Sequence, residues 1–464
     1  MERFNAILTT AAGIASVAAL CVTFYSIGYW IGRRRKRAAV STHQNIYPAA
    51  VAVHNFVKAS LAKSPADIDI VGYSVHALLD SLQPILRRAL AAGKRVRILM
   101  LSPGSSGLLE KSALEREHHA IDIARLRERN STQIRKTCQR LHDLAEDIRY
   151  QSNIGQVRLE VRVYNQLPIY RGARTESGDL VVGPYLIDPL RPGRDLDHLF
   201  ASSGTTLDDH SDREARAFDN WYKYLWQSRS RPVGIATVLF DLYDTLIVVP
   251  PADSHAARAE MSRLIGVSEY ELANYWEATR AASNKGEISS TEERFGRICQ
   301  LAGKDVDIAL NKRLASIEHD MLAKSIEFCP HALETLRTLR NKGYQIAVSS
   351  NSSASAVGAI NASGVGSNVD SICLSFEVGE LKPSAEMYTR PLEALGSTPS
   401  QSVFVGDGAN DELRGAKGVG LTTVCVGGSA AGREAADFTI RDLDELVAVL
   451  ERLPTLSAGL KREA

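Results

Sequence analysis

The chain has 464 residues, 44% hydrophobic and 23% charged, which is a globular composition too long for one ordinary core, so disorder is excluded as its main state. Lys and Arg number 55 against 54 Asp and Glu, a formal charge of +1, and this balance leaves no basic footprint for nucleic acid, so none is expected as a partner. Six cysteines, at 21, 138, 299, 329, 373 and 425, form no C-x-x-C pair, which excludes a zinc knuckle or a disulfide framework and suits reduced thiols in a cytosolic compartment.

From Asn5 to Gly32 the chain carries no Asp, Glu, Lys, Arg or His, a run longer than the roughly 20 residues a membrane-crossing helix needs. Phe24, Tyr25, Tyr29 and Trp30 gather at its carboxyl end, as interfacial aromatics do, and the block Arg33-Arg34-Arg35-Lys36-Arg37 follows. Residues 1–37 therefore read as a transmembrane anchor with a basic stop. A cleaved signal peptide would place its charge before a shorter apolar core. The expected location is the plasma (inner) membrane, single-pass, with everything after residue 38 in the cytoplasm.

Residues 48–230 read as an α/β domain. Ile68 to Val71 is a short strand, His76 to Ala92 an amphipathic helix, and Val96 to Leu101 the next strand, together a βαβ unit. Helical spacing returns near 107–128 and 131–151, strands over Val157 to Val163 and Leu180 to Val182, and a helix rich in aromatic residues over Ala215 to Trp226. This order, with Gly-Lys-Arg-Val-Arg-Ile-Leu-Met-Leu-Ser from Gly93 to Ser102, resembles one half of a phospholipase D-like domain. That family's His-x-Lys-x4-Asp signature is absent. The expected place holds Tyr170-Arg171-Gly172-Ala173-Arg174 and then Asp179. The resemblance implies a non-hydrolytic relative used for binding or for homodimer formation. Arg171 and Arg174 fit either an anion site or a solvated strand face.

Residues 233–452 carry the chemistry. Val238, Leu239 and Phe240 form a short buried strand that ends in Asp241, at the edge where open α/β sheets bind ligands. Tyr344 to Ser350 runs apolar into Ser350-Asn351. After the strand Ser371 to Phe376 comes Lys382-Pro383, and Ser402 to Val405 leads to Gly406-Asp407-Gly408-Ala409-Asn410-Asp411. A carboxylate nucleophile, a hydroxyl, a lysine and an acidic pair at neighbouring strand ends make a set suited to phosphoryl transfer with a hard divalent cation.

That order is similar to the haloacid dehalogenase superfamily of hydrolases. The resemblance implies Asp241 as the nucleophile, Ser350 as the second-motif hydroxyl, Lys382 as the third-motif lysine, and Asp407 with Asp411 as the fourth-motif acids. It implies Mg²⁺ held by Asp241, Asp407, Asp411 and the Tyr243 carbonyl. The insertion at about 250–328, patterned as helices over Arg258 to Ile265, Glu269 to Ser283, Thr291 to Leu301 and Ile308 to Leu322, is expected to be a helical cap. Arg280 and Lys285 from this cap, with Thr245 and Asn351 from the core, are the candidate substrate contacts, whereas Trp276 reads as cap core. The expected fold class is α/β: a Rossmann-like core with an inserted helical cap, preceded by a second α/β domain and one transmembrane helix.

One departure stands out. The family's phosphatases carry a second aspartate two places after the nucleophile, which protonates the leaving oxygen, and here that place is Tyr243. Asp244, one position on, is the candidate replacement. General acid catalysis is typically worth about 10²–10⁴-fold, so a small phosphorylated substrate with a good leaving group is favoured. Two other readings stay open: a non-catalytic phosphate-binding sensor or scaffold, and a metal-free 2-haloacid dehalogenase, an activity for which the superfamily also uses tyrosine at this place. Retention of Asp407 and Asp411 argues for phosphate over halide.

Overall fold

A computed structural model describes residues 55, 57, 59, 67–72, 75–103, 123–152, 157–175, 180–184, 200–202 and 213–453. The anchor at 1–37, the part before residue 123 of the helix expected near 107–128, and the tail after residue 453 lie outside them. Among the described residues no helix is long and apolar enough to cross a membrane.

The first sheet is built from β1 (Ile68–Val71), β2 (Val96–Leu101), β3 (Leu159–Tyr164), β4 (Tyr170–Thr175), β5 (Leu180–Pro184), β6 (Phe200–Ser202) and β7 (Ser230–Pro232), in the order β6-β5-β4-β1-β2-β3-β7. β1, β2 and β3 are parallel, whereas β4 joins β1 and β7 joins β3 antiparallel. The helix His76–Ala91 buries Leu79, Leu82, Leu86 and Leu90, the residues its spacing puts on one face. Ile123–Ser152 is a single helix, so it runs through the break expected between 128 and 131. The closing helix Arg213–Ser228 sets Phe218, Tyr222 and Leu225 into the core.

Arg174 does not offer its charge to an anion. Its Nε donates to Asp69 Oδ2 at 2.7 Å, it forms a second ion pair with Asp219, and its guanidinium lies 4.7 Å from the centre of the Tyr222 ring. Arg97 grips Asp69 through two further hydrogen bonds of 2.6 Å. These buried charges are consumed in fixing the last helix to the sheet.

No strand is expected from sequence at β7, which straddles the end of the 48–230 domain. Instead it completes the first sheet and runs on, four residues later, into β8 (Thr237–Phe240). Then come β9 (Ile247–Val248), β10 (Glu327–Phe328), β11 (Gln345–Ser350), β12 (Ser371–Leu374), β13 (Ser402–Gly406), β14 (Thr422–Val426) and β15 (Phe438–Ile440). The second sheet has the order β12-β11-β8-β13-β14-β15 and is parallel throughout. Its central strands β8, β11 and β13 are runs buried on both faces, as a sheet covered by helices requires. Arg162 of β3 makes bidentate contact with Glu451 at 2.6 and 2.8 Å, and Lys342 donates to the Gln227 carbonyl at 2.9 Å, so the two sheets' domains are tied by charge-assisted bonds.

Four helices, Pro251–Ile265, Glu269–Asn284, Thr291–Leu301 and Ile308–Ser325, form the insertion. Met261, Leu272, Phe295, Ile298 and Leu314 give it a core of its own. Trp276 packs edge-on against Phe295, with ring centres 5.5 Å apart, as the core reading predicts. Ser268 and Glu271 close a reciprocal capping box at the start of the second helix. β9 and β10, the way in and the way out, pair antiparallel with each other, Val248 opposite Glu327.

Candidate active site

Asp241 follows β8 directly, and its N–H donates to Val405 O of β13 at 2.9 Å, which fixes the carboxylate at the carboxyl edge of the sheet. It is 8% exposed. Thr245 Oγ1 donates to Asp241 Oδ2 at 3.2 Å, and the Lys382 ammonium donates to Oδ1. The same ammonium donates to Glu412 Oε2 at 2.6 Å. Lys382 therefore bridges two buried carboxylates. Burial by itself would lower its pKa, and the charges of Asp241 and Glu412 outweigh that, so the ammonium is held above its ordinary value.

Glu412 is the residue that sequence reasoning missed. Asp411, assigned to the metal, is exposed and faces Arg414, whose Nη1 lies 3.4 Å from Asp411 Oδ1. The cause is local. Asn410 and Asp411 both take left-handed backbone, at φ 54°, and this turn carries the Asp411 side chain outward before the helix Glu412–Gly418 begins with Glu412 turned in. The sequence does contain a signal, since Gly-Asp-x4-Glu overlaps Gly-Asp-x3-Asp. Two glycines make room for the inward turn of this helix. A Cβ on Gly406 would stand 2.1 Å from Glu412 Oε1, and one on Gly415 would stand 2.6 Å from both Pro383 Cβ and Tyr388 Oη. Burial pushes the Glu412 carboxyl up to about 7, against the lowering pull of Lys382.

Asp241, Asp407 and Glu412 each present an oxygen, all within 4.8 Å of one another. Three carboxylates at this spacing fit a hard, oxygen-seeking divalent cation. The hydrogen bonds of the Tyr243 turn run from Asp244 N to Ile247 O and from Ile247 N to Leu242 O, and neither uses the Tyr243 carbonyl, the further ligand expected from sequence. The Tyr243 phenol is half-buried, and burial, then Glu318, then Asp241 hold its proton more firmly than in water. Asp244 sits at φ 58° on the exposed side of the same turn, and its carboxyl is raised by partial burial and by the charges of Asp407 and Asp241.

Ser350 is buried at the end of β11, beside Asp241's strand. Asn351, expected against substrate, holds Lys382 instead. Lys382 N donates to its Oδ1 at 2.7 Å, and its Nδ2 donates to Lys382 O at 3.2 Å. Arg280 is not brought to the site: it is exposed and pairs with Glu277 one helical turn away at 2.7 Å. Helical spacing alone does not say which face of a cap helix looks inward. Lys285 caps the same helix and is exposed, next to Asn284, whose carbonyl accepts from Ser375 Oγ at 2.7 Å where the cap meets the core.

The chain matches the haloacid dehalogenase-like hydrolase family over residues 235–420. It is 30% identical over 230 residues to the ribulose-1,5-bisphosphate 5-phosphatase of Halopiger xanaduensis, covering 45% of this chain and 96% of that protein. It is 27% identical over 197 residues to the glyceraldehyde 3-phosphate phosphatase of Methanopyrus kandleri, covering 41% of this chain and 83% of the relative. Among solved structures, a phosphatase from Thermococcus onnurineus aligns with 47% of this chain and 98% of its own, at 23% identity and a TM-score of 0.36.

Proposed function

The chain belongs to the haloacid dehalogenase-like hydrolases, and from that premise we propose that it is a Mg²⁺-dependent phosphohydrolase or phosphotransferase working through an aspartyl phosphate on Asp241. The observation that carries this reading is the meeting of Asp241, Asp407, Glu412 and Lys382 at one strand edge. When bound between the three carboxylates, Mg²⁺ would offset the charge of a phosphate group.

In this reading an oxygen of Asp241 attacks phosphorus, a phosphorus–oxygen bond to the leaving group breaks, and the leaving oxygen takes up a proton. Water then attacks the same phosphorus, which frees phosphate and restores the carboxylate. Thr245 orients Asp241, while Lys382 and Ser350 hold phosphate oxygens. Asn351 positions Lys382. Asp244 is the candidate proton donor, because Tyr243 keeps its own proton too firmly. Substrates whose leaving group needs little protonation, such as acyl phosphates or pyrophosphates, suit the site best.

The relatives' activities support a small phosphorylated metabolite. The middle domain is assigned a binding or pairing role, homodimer formation included, which rests on its pattern resemblance to half of a phospholipase D-like domain and its missing signature. The apolar run and basic stop of residues 1–37 support tethering to the inner membrane.

The test is release of phosphate from acetyl phosphate and p-nitrophenyl phosphate by the full chain, with and without Mg²⁺, beside Asp241→Asn. Release that needs Mg²⁺ and vanishes in the variant is expected. Release that persists in the variant overturns the nucleophile. The firm Tyr243 proton favours one second reading, a phosphate-binding sensor without turnover, and phosphate binding with no release from either substrate would select it.

A further inference from the structure

A cavity of about 1250 Å³ lies between the two sheets' domains. One wall is the carboxyl edge of the first sheet, where Ser102 follows β2 and Asn165 follows β3, the edge at which open α/β sheets take ligands. The other is the amino edge of the catalytic sheet, including Ala236 before β8 and Gln401 before β13. β8 separates Ala236 from Asp241 by roughly 16 Å at about 3.3 Å per residue, so this space is not the catalytic pocket.

Arg231 of β7 lines the cavity and is 6% exposed. Its Nε donates to Gly343 O at 3.0 Å, its Nη1 to Ile235 O at 2.7 Å, and its Nη2 to Ser102 Oγ at 3.3 Å. All of these partners are neutral. Among the described residues no carboxylate pairs with the guanidinium, which lies 5.6 Å from the centre of the Tyr344 ring; burial lowers its pKa, and the opposing pull comes from Tyr344 and Cys138, not from a carboxylate. Three half-buried arginines of the first sheet are matched: Arg162 has Glu451, and Arg97 and Arg174 share Asp69. An unmatched buried guanidinium is costly unless an anion meets it.

Elsewhere in the wall three cations stand against three acids, and Arg135 among them is exposed. Arg340 and Lys417 are paired, with Asp370 and Asp437, whereas Arg135 has no ionic partner among the described residues. Glu128 is the remaining acid of the wall, exposed and accepting from Thr132 at 3.3 Å. Hydroxyls of Ser131, Thr398 and Ser400 add hydrogen-bonding capacity.

We propose that this inter-domain cavity is a binding site for a small molecule bearing a phosphate or carboxylate group, received by Arg231 and Arg135 together with Ser102. Guanidinium suits both kinds of oxyanion through paired N–H donors. The bound molecule would touch the middle domain and the back edge of the catalytic sheet at once.

The full chain is titrated calorimetrically with inorganic phosphate and, in a parallel arm, with malonate, which separates the two oxyanion sources. Expected is a binding event in at least one arm that Arg231→Met weakens about tenfold or more, the size of a lost charge-assisted bond. Arg135→Glu and Ser102→Ala leave Arg231's carbonyl bonds intact, and each is expected to weaken the same event, so the test survives misfolding of Arg231→Met. Absence of binding in both arms, or binding that none of these substitutions alters, overturns the proposal. Phosphate held at the catalytic edge is recognised by its loss in Lys382→Ala and its indifference to Arg135→Glu.

Discussion

Asn351 clasps the backbone of Lys382 from both sides, accepting its N–H at 2.7 Å and donating to its carbonyl at 3.2 Å. The lysine's reach to Asp241 therefore depends on an amide that touches neither carboxylate. Asn351→Ala removes both bonds, each worth about 0.5–1.5 kcal/mol net. Its kcat should fall about tenfold or more, with a smaller change in KM. Asn351→Asp keeps the acceptor for Lys382 N and should retain more activity than alanine. Steady-state kinetics of the two variants on acetyl phosphate check the order.

Glu412 and Asp411 are neighbours with opposite fates, one buried against Lys382 and one exposed beside Arg414. Glu412→Gln should raise the Mg²⁺ concentration for half-maximal activity about tenfold or more, since a charged oxygen ligand is replaced by a neutral one. Asp411→Asn should stay close to wild type. Magnesium titrations of both variants decide, and the reverse order would return the metal to Asp411.

Asp244 is the test of the missing acid. If it donates the proton, Asp244→Asn loses about 10²-fold or more on alkyl phosphates, whose leaving oxygen needs that proton, and much less on acetyl phosphate. Equal losses on both substrates would remove Asp244 from the proton transfer.

Glu318 of the cap helix Ile308–Ser325 is 5% exposed, and its Oε2 has no hydrogen-bond partner among the described residues. Burial raises its pKa, with Arg294, Ser355 and His319 pulling the other way. A carboxyl raised in the folded state favours folding while protonated. Its contribution is full below the ordinary carboxylate pKa and is lost as pH rises through the raised value. Wild type should therefore lose stability as pH climbs from about 4.5 upward, and Glu318→Gln should flatten that slope. Denaturant unfolding across pH 4 to 8, a range of roughly ordinary carboxylate to neutral conditions, reads the difference.

Much of the catalytic half was legible because its strands are apolar runs that stop at polar residues, so Asp241, Ser350, Lys382 and Asp407 could be placed on one sheet edge from sequence. Glu412 was not, since its direction is set by two successive left-handed residues, Asn410 and Asp411, and spacing does not reveal backbone hand. Arg280 misled because an exposed helical arginine and a site arginine have the same spacing. β7 was hidden for a different reason. Ser230-Arg231-Pro232 has no alternation and contains a proline, which only an edge strand tolerates.

The ribbon of β9 and β10 also says how the cap could have been acquired. Val248 and Glu327 are opposite each other across it, so the chain leaves the catalytic sheet and returns to it at neighbouring points. Everything between them could be replaced by a tight turn, and the ribbon would close as a simple hairpin. The cap is thus an interchangeable part: a different cap grafted at this seam would change what the enzyme admits while leaving Asp241, Lys382 and Glu412 where they are.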